Sequence, residues 1–265
     1  MSLSWNEFPC IALPAMLCWL SAGLLACRRP RSARSVYVVD ALTITGIALS
    51  AVFIAAFWNA LSRPPLRTMG ETRLWYALFM ILAGYITYRR WNYPWLLLLS
   101  AIVATVFTAI NVLKPEIHSV ALMPALQSFL FIPHVIIYII AYAFFGVATL
   151  AAGVLFFRRR SGNGNDNGLL TFVDDLVHVG FGFLALGLLL GAVWAKEAWG
   201  HYWSWDPKET LAFITGAAYL VYIHLRHQGR KDNFVLWTLL VAFLLLLLCW
   251  FGTALLPRSS LHLYS

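Results

Sequence analysis

Eight runs of apolar residues, each bounded by charged punctuation, take up most of this 265-residue chain. They fall at residues 8–27, 41–61, 74–88, 93–113, 134–157, 176–194, 210–226 and 234–256. A bilayer core of about 30 Å calls for about 20 apolar residues in a helix. Inside it, every backbone N–H and C=O must find a partner within the protein. Repeated runs of that length restrict the chain to an all-α, polytopic integral membrane bundle of about eight transmembrane helices. Composition closes off the soluble alternative: 61% of the residues are apolar and 11% charged, against about 25% charged in a soluble domain. The third run is the shortest, and the Arg89-Arg90-Trp91-Asn92 turn joins it to the fourth as a helical hairpin.

Charge then orients the bundle. Nineteen Lys and Arg against eleven acidic residues give a formal charge of +8. With the N-terminus outside, the cytoplasmic loops hold twelve of the nineteen cations: Arg28, Arg29, Arg31, Arg34, Arg89, Arg90, Arg158, Arg159, Arg160, Arg226, Arg230 and Lys231. The outer side holds the other seven: Arg63, Arg67, Arg73, Lys114, Lys196, Lys208 and Arg258. Short loops rich in Lys and Arg stay cytoplasmic, so the expected topology has both termini extracytoplasmic. The basic surplus is then a topology signal, and nucleic acid drops out as a partner. The first run reads as a retained span, because its cations follow it where a cleavable signal would have them in front. Cys10, Cys18, Cys27 and Cys249 form no CxxC and no close pair, so neither a disulfide framework nor a zinc site is legible. Residues 1–265 read as a single integral membrane domain. Room for a site exists only in the outer loops 62–73, 114–133 and 195–209, and in the tail from Pro257.

One of those loops stands apart. Trp194, Trp199, Trp203 and Trp205 fall within twelve residues, four of the twelve tryptophans in the chain. An interfacial aromatic belt accounts for Trp58, Trp75, Trp91 and Trp95, but the stretch 194–210 is too dense and too polar for an anchor. Trp199 and Trp203 are four apart, so a helical turn would set their faces on one side, and flat apolar faces suit a large planar ligand such as a porphyrin. Asp206, Pro207 and Glu209 also match the N-cap, first and third positions of a capped helix. A structural role and a ligand-facing role for Asp206 therefore both stand. Lys196 and Lys208 suit either ligand carboxylates or solvent.

The histidines sort by depth. His134 opens the fifth run directly after Pro133, and His262 lies six residues beyond the eighth; both fall on the same outer face as the tryptophan loop. Two neutral imidazoles beside a stacking surface are what a six-coordinate haem iron needs. Each also has a plain reading, His134 as an interfacial side chain and His262 as a tail residue. His224 lies about 21 Å into the seventh run at 1.5 Å per residue, at the cytoplasmic third of the bilayer, where an ionisable group is a functional candidate. His178 competes with it for that role, while His118 and His201 have no second feature in support. Gly187 and Gly191 form a GxxxG step, which suits close helix packing.

These residues resemble a known family. Trp199-Gly200-His201-Tyr202-Trp203-Ser204-Trp205-Asp206-Pro207-Lys208-Glu209-Thr210 is similar to the tryptophan-rich WWD signature of haem-handling proteins, and its Asp-Pro-Lys-Glu-Thr ending resembles the CcsA/ResC family of system II cytochrome c biogenesis. Gly191-Ala192-Val193-Trp194-Ala195 before it, Ile223-His224-Leu225-Arg226 after it, Pro124-Ala125-Leu126-Gln127-Ser128 leading to His134-Val135, and Leu261-His262 extend the likeness over about the last 150 residues. The first four spans match in topology alone. The resemblance implies that His134 and His262 are axial ligands of haem iron and that His224 belongs to an inner haem site. It implies that Trp199, Gly200, Trp203, Trp205 and Asp206 line the haem surface. The cofactor implied is haem b, held transiently and without a covalent bond.

The activity implied is transport and presentation of haem, with covalent attachment to an apocytochrome c bearing CxxCH, as part of a cytochrome c synthase (haem lyase) complex. The partners implied are a ResB/CcsB-type membrane protein, the apocytochrome, membrane lipid and, indirectly, a thiol-disulfide oxidoreductase. The site would face outward from a bacterial cytoplasmic membrane, or from a thylakoid membrane in a plastid. Two departures stand out: His201 occupies a position where the family has a small residue, and the ResB/CcsB half is absent from this chain. Two rival readings remain at this stage. One is a WWD subunit of the ABC-linked system I pathway, and the other is a b-type electron-transfer protein using His178 and His224.

Overall fold

The computed structural model describes residues 4–28, 32–114, 128–162 and 167–251. Those residues form eight α-helices, with no strand among them: α1 (Phe8–Cys27), α2 (Ala33–Leu61), α3 (Met69–Trp91), α4 (Pro94–Leu113), α5 (Phe131–Arg160), α6 (Asn167–Trp199), α7 (Pro207–His227) and α8 (Asn233–Phe251). The all-helical polytopic bundle expected from the apolar runs is what forms. By length and composition α1, α2, α4, α5, α6 and α8 can each cross a membrane. α3 and α7 have 23 and 21 residues, enough for about 30 Å at 1.5 Å per residue. Their charges gather at their ends, Glu71, Arg73, Arg89 and Arg90 in α3 and Lys208, Glu209 and Arg226 in α7.

Several helices outrun the apolar runs that announced them. α2 starts at Ala33, where the run begins at residue 41, because the Ser32 hydroxyl accepts from the Ser35 N–H at 3.1 Å and caps it. α3 starts at Met69 on a reciprocal capping box between Thr68 and Glu71. It ends where Asn92 turns left-handed (φ 57°), and Pro94 opens α4 at once. α6 reaches from Asn167 to Trp199, well beyond 176–194. Apolar patterning marks the lipid-facing part of a helix, whereas caps mark its ends. The expected tail of the eighth run, beyond Phe251, lies outside the described residues.

The chain divides into two compact units, Met1–Val120 and Ala121–Ser265. In the first, α1 packs on α2 and α4, and α3 packs along α4. Trp19 is buried at its centre, 1% exposed. A Cβ at Gly46 would sit 2.5 Å from its indole Nε1, so glycine is what lets α2 approach α1. Between membrane helices such close packing stands in for the missing hydrophobic drive. Gly46→Ala is expected to destabilise the protein by about 1–3 kcal/mol through overpacking, read as the unfolding midpoint in mixed micelles. Gly153→Ala, where a Cβ meets nothing within 4 Å, serves as the control and should leave the midpoint in place.

In the second unit, α5 packs along α6 and against α8, while α7 packs on α8 and α6. The α5–α6 seam runs antiparallel, with rings of α5 set against glycines of α6. A Cβ at Gly180 would meet Phe145 at 2.9 Å, one at Gly187 would meet Tyr138 at 3.0 Å, and one at Gly191 would meet His134 at 2.5 Å. At the far end of the unit Asp174 clamps α7. Its two carboxylate oxygens accept from Arg226 Nε at 2.8 Å and Nη2 at 2.6 Å, and one also accepts from the Tyr222 hydroxyl at 2.8 Å. None of the four cysteines forms a disulfide.

Candidate functional site

The site is built where α5 begins, α6 ends and α7 begins. His134 lies in the first turn of α5 and turns its ring onto α6. Its Nδ1 lies 2.9 Å from the Gly187 carbonyl oxygen. An oxygen acceptor there requires the proton on Nδ1, so the neutral ring carries its lone pair on Nε2. The ring stacks on Trp194 (centroids 5.8 Å apart, planes at 13°) and meets the edge of Tyr138 at 4.8 Å. Trp194, 2% exposed, also packs against Phe131 at 5.4 Å and edge-on to Trp199 at 6.2 Å. Ser128 donates to Glu197 at 3.1 Å, which ties the approach to α5 to the end of α6.

The tryptophan stretch does not form the single helical turn that its spacing suggested. α6 stops at Trp199 because Gly200 turns left-handed at φ 88°, and the Gly200 N–H donates back to the Lys196 carbonyl at 3.0 Å. Lys196 Nζ in turn donates to the Gly200 carbonyl at 2.6 Å and lies over the Tyr202 ring. Trp199 and Trp203 therefore belong to different segments and do not share a helix face. Trp199 pairs with Trp194, and Trp203 pairs edge-on with Trp205 at 5.7 Å. A Cβ at Gly200 would meet nothing within 4 Å. The positive φ alone is a conformational reason for glycine there.

The loop's far side is pinned by the start of α7. Asp206 is the N-cap and accepts from the Glu209 N–H at 2.7 Å; Pro207 takes the first helical position. Glu209 accepts from the Ser204 N–H at 2.7 Å and from its hydroxyl at 3.2 Å, so it closes the loop two residues before the cap. Both carboxylates are 8% exposed. Trp205 sits between these anchors at φ 60°, a conformation uncommon for a bulky side chain, and its indole is 63% exposed. Trp203 is half-buried, and its indole Nε1 is a buried donor with no hydrogen-bond partner among the described residues. An exposed flat ring, an unanswered N–H donor and an imidazole fixed by its Nδ1 fit a planar, acid-bearing metal complex.

Other sequence candidates fall elsewhere. His224 is in the last turn of α7, about 25 Å along the axis from Pro207 at 1.5 Å per residue, because the helix starts three residues before the run. Its Nε2 lies 3.0 Å from Gln228 Nε2. His178 is exposed, with Nδ1 2.7 Å from the Asp174 carbonyl. His201 is exposed in the loop. His262 and His118 lie outside the described residues, as do Pro124–Gln127. The roles of Trp194 and Gly191 beside His134 were missed from the sequence. Their spacing, Gly187 to Gly191 against Tyr138 to His134 on an antiparallel neighbour, was the available signal.

The sequence profile described as cytochrome c assembly protein matches residues 13–261. The match reaches back into the first helices, which the motifs alone had left as a likeness of topology. Among relatives, the cytochrome c biogenesis protein CcsA of Cuscuta exaltata is 33% identical over 268 residues, covering 86% of this chain and 83% of its own. That of Nicotiana tomentosiformis is 32% identical over 273 residues with the same two coverages. That of Chlamydomonas reinhardtii is 36% identical over 154 residues, 54% of this chain and 42% of the alga's protein. The chain belongs to the CcsA family of cytochrome c biogenesis proteins. A solved structure titled cytochrome c heme lyase CcmF superposes with a TM-score of 0.71 at 19% identity, over 93% of this chain and 46% of that one. At that identity the likeness is one of fold.

Proposed function

We propose that this protein holds and presents haem for covalent attachment to apocytochrome c, in the system II manner and together with a ResB/CcsB-type membrane partner. The observation that carries the reading is His134: an imidazole locked by its Nδ1 beside a tryptophan-walled loop. Haem is the cargo, and it supplies the iron and the vinyl groups to which the CxxCH thiols of the cytochrome add. Within this reading His134 and His262 are the axial ligands. Trp199, Trp203 and Trp205 provide flat surface, Gly200 and Asp206 fix the loop's shape, and Trp203 Nε1 offers a donor to a carboxylate. The Gly187 carbonyl and the Trp194 ring hold the iron's ligand in one geometry, which is where proximity and orientation act. His224 belongs to an inner transit site, and both termini lie on the outer side with the tryptophan loop.

The test is the haem spectrum of the protein purified with its partner. His134→Gly combined with His262→Gly is expected to lose the bis-imidazole bands and most of the bound haem, with partial recovery on adding imidazole. Unchanged bands and unchanged haem content would remove the ligand assignment.

A further inference from the structure

A histidine that ligates iron needs its ring aimed. α6 contacts the His134 ring three ways. The Gly187 carbonyl oxygen lies 2.9 Å from Nδ1. A Cβ on Gly191 would lie 2.5 Å from Cε1 and 2.8 Å from Nδ1, so the ring fills the space that any other residue at 191 would claim. The Trp194 indole lies parallel to the ring, 13° off. Gly187 and Gly191 are one helical turn apart and Trp194 follows three residues later, so all three lie along one face of α6. On α5, Tyr138 backs the ring edge-on and is itself seated against Gly187. The GxxxG step that looked like plain helix packing thus ends on the imidazole.

We propose that Gly187, Gly191 and Trp194 are positioning residues that clamp His134 in its Nδ1-protonated tautomer and set Nε2 as the nitrogen presented to metal. A second lone pair on a helix carbonyl can accept from a side chain while the helix bond persists. A backbone carbonyl on the far ring nitrogen is the usual device for fixing tautomer and orientation in a ligating histidine. Gly191 is needed because the ring must lie flat against the helix to reach that carbonyl. Trp194 stacks on the ring, its plane 13° off, and opposes rotation about χ2. The inference rests on His134 being a haem ligand only for its consequence. The clamp itself is a property of the haem-free protein.

Four variants of the full chain test it. In haem-free protein with 15N-labelled histidine, the signals that vanish in His134→Gly identify His134, and they should report Nδ1 protonation at neutral pH. Gly191→Ala should abolish that signature. Gly182→Ala, on the same helix with nothing within 4 Å of a Cβ, should keep it. With haem, Gly191→Ala should retain about 10–100-fold less tightly, the range for loss of an outer-shell partner, and added imidazole should restore binding. Should Gly191→Ala fold poorly, the Gly191→Ala/His134→Gly double variant must fold better, because removing the ring removes the clash. A Gly191→Ala protein with the wild-type nitrogen shifts, or a double variant no more stable than Gly191→Ala, overturns the clamp. A clamp seen in the nitrogen shifts together with wild-type haem binding in His134→Gly would instead overturn the ligand reading and leave the clamp standing.

Discussion

Glu71→Ala is expected to destabilise the first unit by about 3–5 kcal/mol, the range for breaking a buried ion pair from one side. Glu71 is 1% exposed and concentrates four bonds on one carboxylate. Arg63 Nη2 donates to Oε1 at 2.7 Å and Nη1 to Oε2 at 2.9 Å, a two-pronged pair. The N–H groups of Arg67 and Thr68 donate to Oε2 at 2.7 and 3.3 Å. The loop therefore folds around this side chain, and its removal strands a guanidinium 18% exposed and two backbone donors together. Burial and the neighbouring Arg63 already push the Arg67 guanidinium below its usual value, against the pull of Glu71, so losing the one carboxylate worsens a crowded set of cations. Glu71→Gln separates the contributions. The amide oxygen can still accept from the backbone, so about 1–2 kcal/mol of capping should survive while the charge is lost. Unfolding midpoints in mixed micelles should fall in the order wild type, Gln, Ala; equal midpoints for Gln and Ala would mean the capping bonds contribute nothing.

How far the sequence reveals the molecule follows from which forces leave a local trace. Eight helices were legible because each leaves an apolar run, six of them in helices long and apolar enough to cross a bilayer, a signal written in consecutive residues. Helix ends were not, since α6 extends to Trp199 past the last strongly apolar residues and stops on the backbone of Gly200 rather than on polarity. Asp206 as N-cap was legible because capping is a short-range pattern, and the structure places its oxygen 2.7 Å from the Glu209 N–H. Glu209's own bonds to Ser204 were not, because they depend on a loop path set by Trp205 at positive φ. The common face of Trp199 and Trp203 failed for the same reason: helical spacing was applied across a glycine that ends the helix. His134 was picked out by its position after Pro133, but the Gly187 carbonyl, Gly191 and Trp194 that hold it are 53 to 60 positions away along the chain. Contacts between helices leave only a matching periodicity on each partner, visible once the pairing is known.

Asp174→Ala should destabilise the second unit by about 3 kcal/mol, the low end for a broken buried pair because both partners keep some exposure. Asp174 and Arg226 are 16% and 12% exposed, and their two bonds of 2.6 and 2.8 Å form a fork that also takes in the Tyr222 hydroxyl. Bonds of this geometry are strong individually, yet desolvation offsets much of their gain, so the loss on cutting Asp174 comes mainly from the cation and hydroxyl left behind. Removing all three polar groups in Asp174→Leu/Tyr222→Phe/Arg226→Leu should therefore return the midpoint most of the way to wild type, although it deletes four hydrogen bonds, that of Arg226 Nη1 to the Arg230 carbonyl among them. If the triple variant stayed as unstable as Asp174→Ala, the pair would be a net stabiliser of α6 against α7. The same variant separates structure from transit, since His224 sits two residues before Arg226 on α7 and keeps its own contact with Gln228. Recovered stability with haem binding below wild type would make the fork a determinant of how His224 is aimed in the proposed inner site. Recovered stability with haem retained would confine the fork to joining the helices.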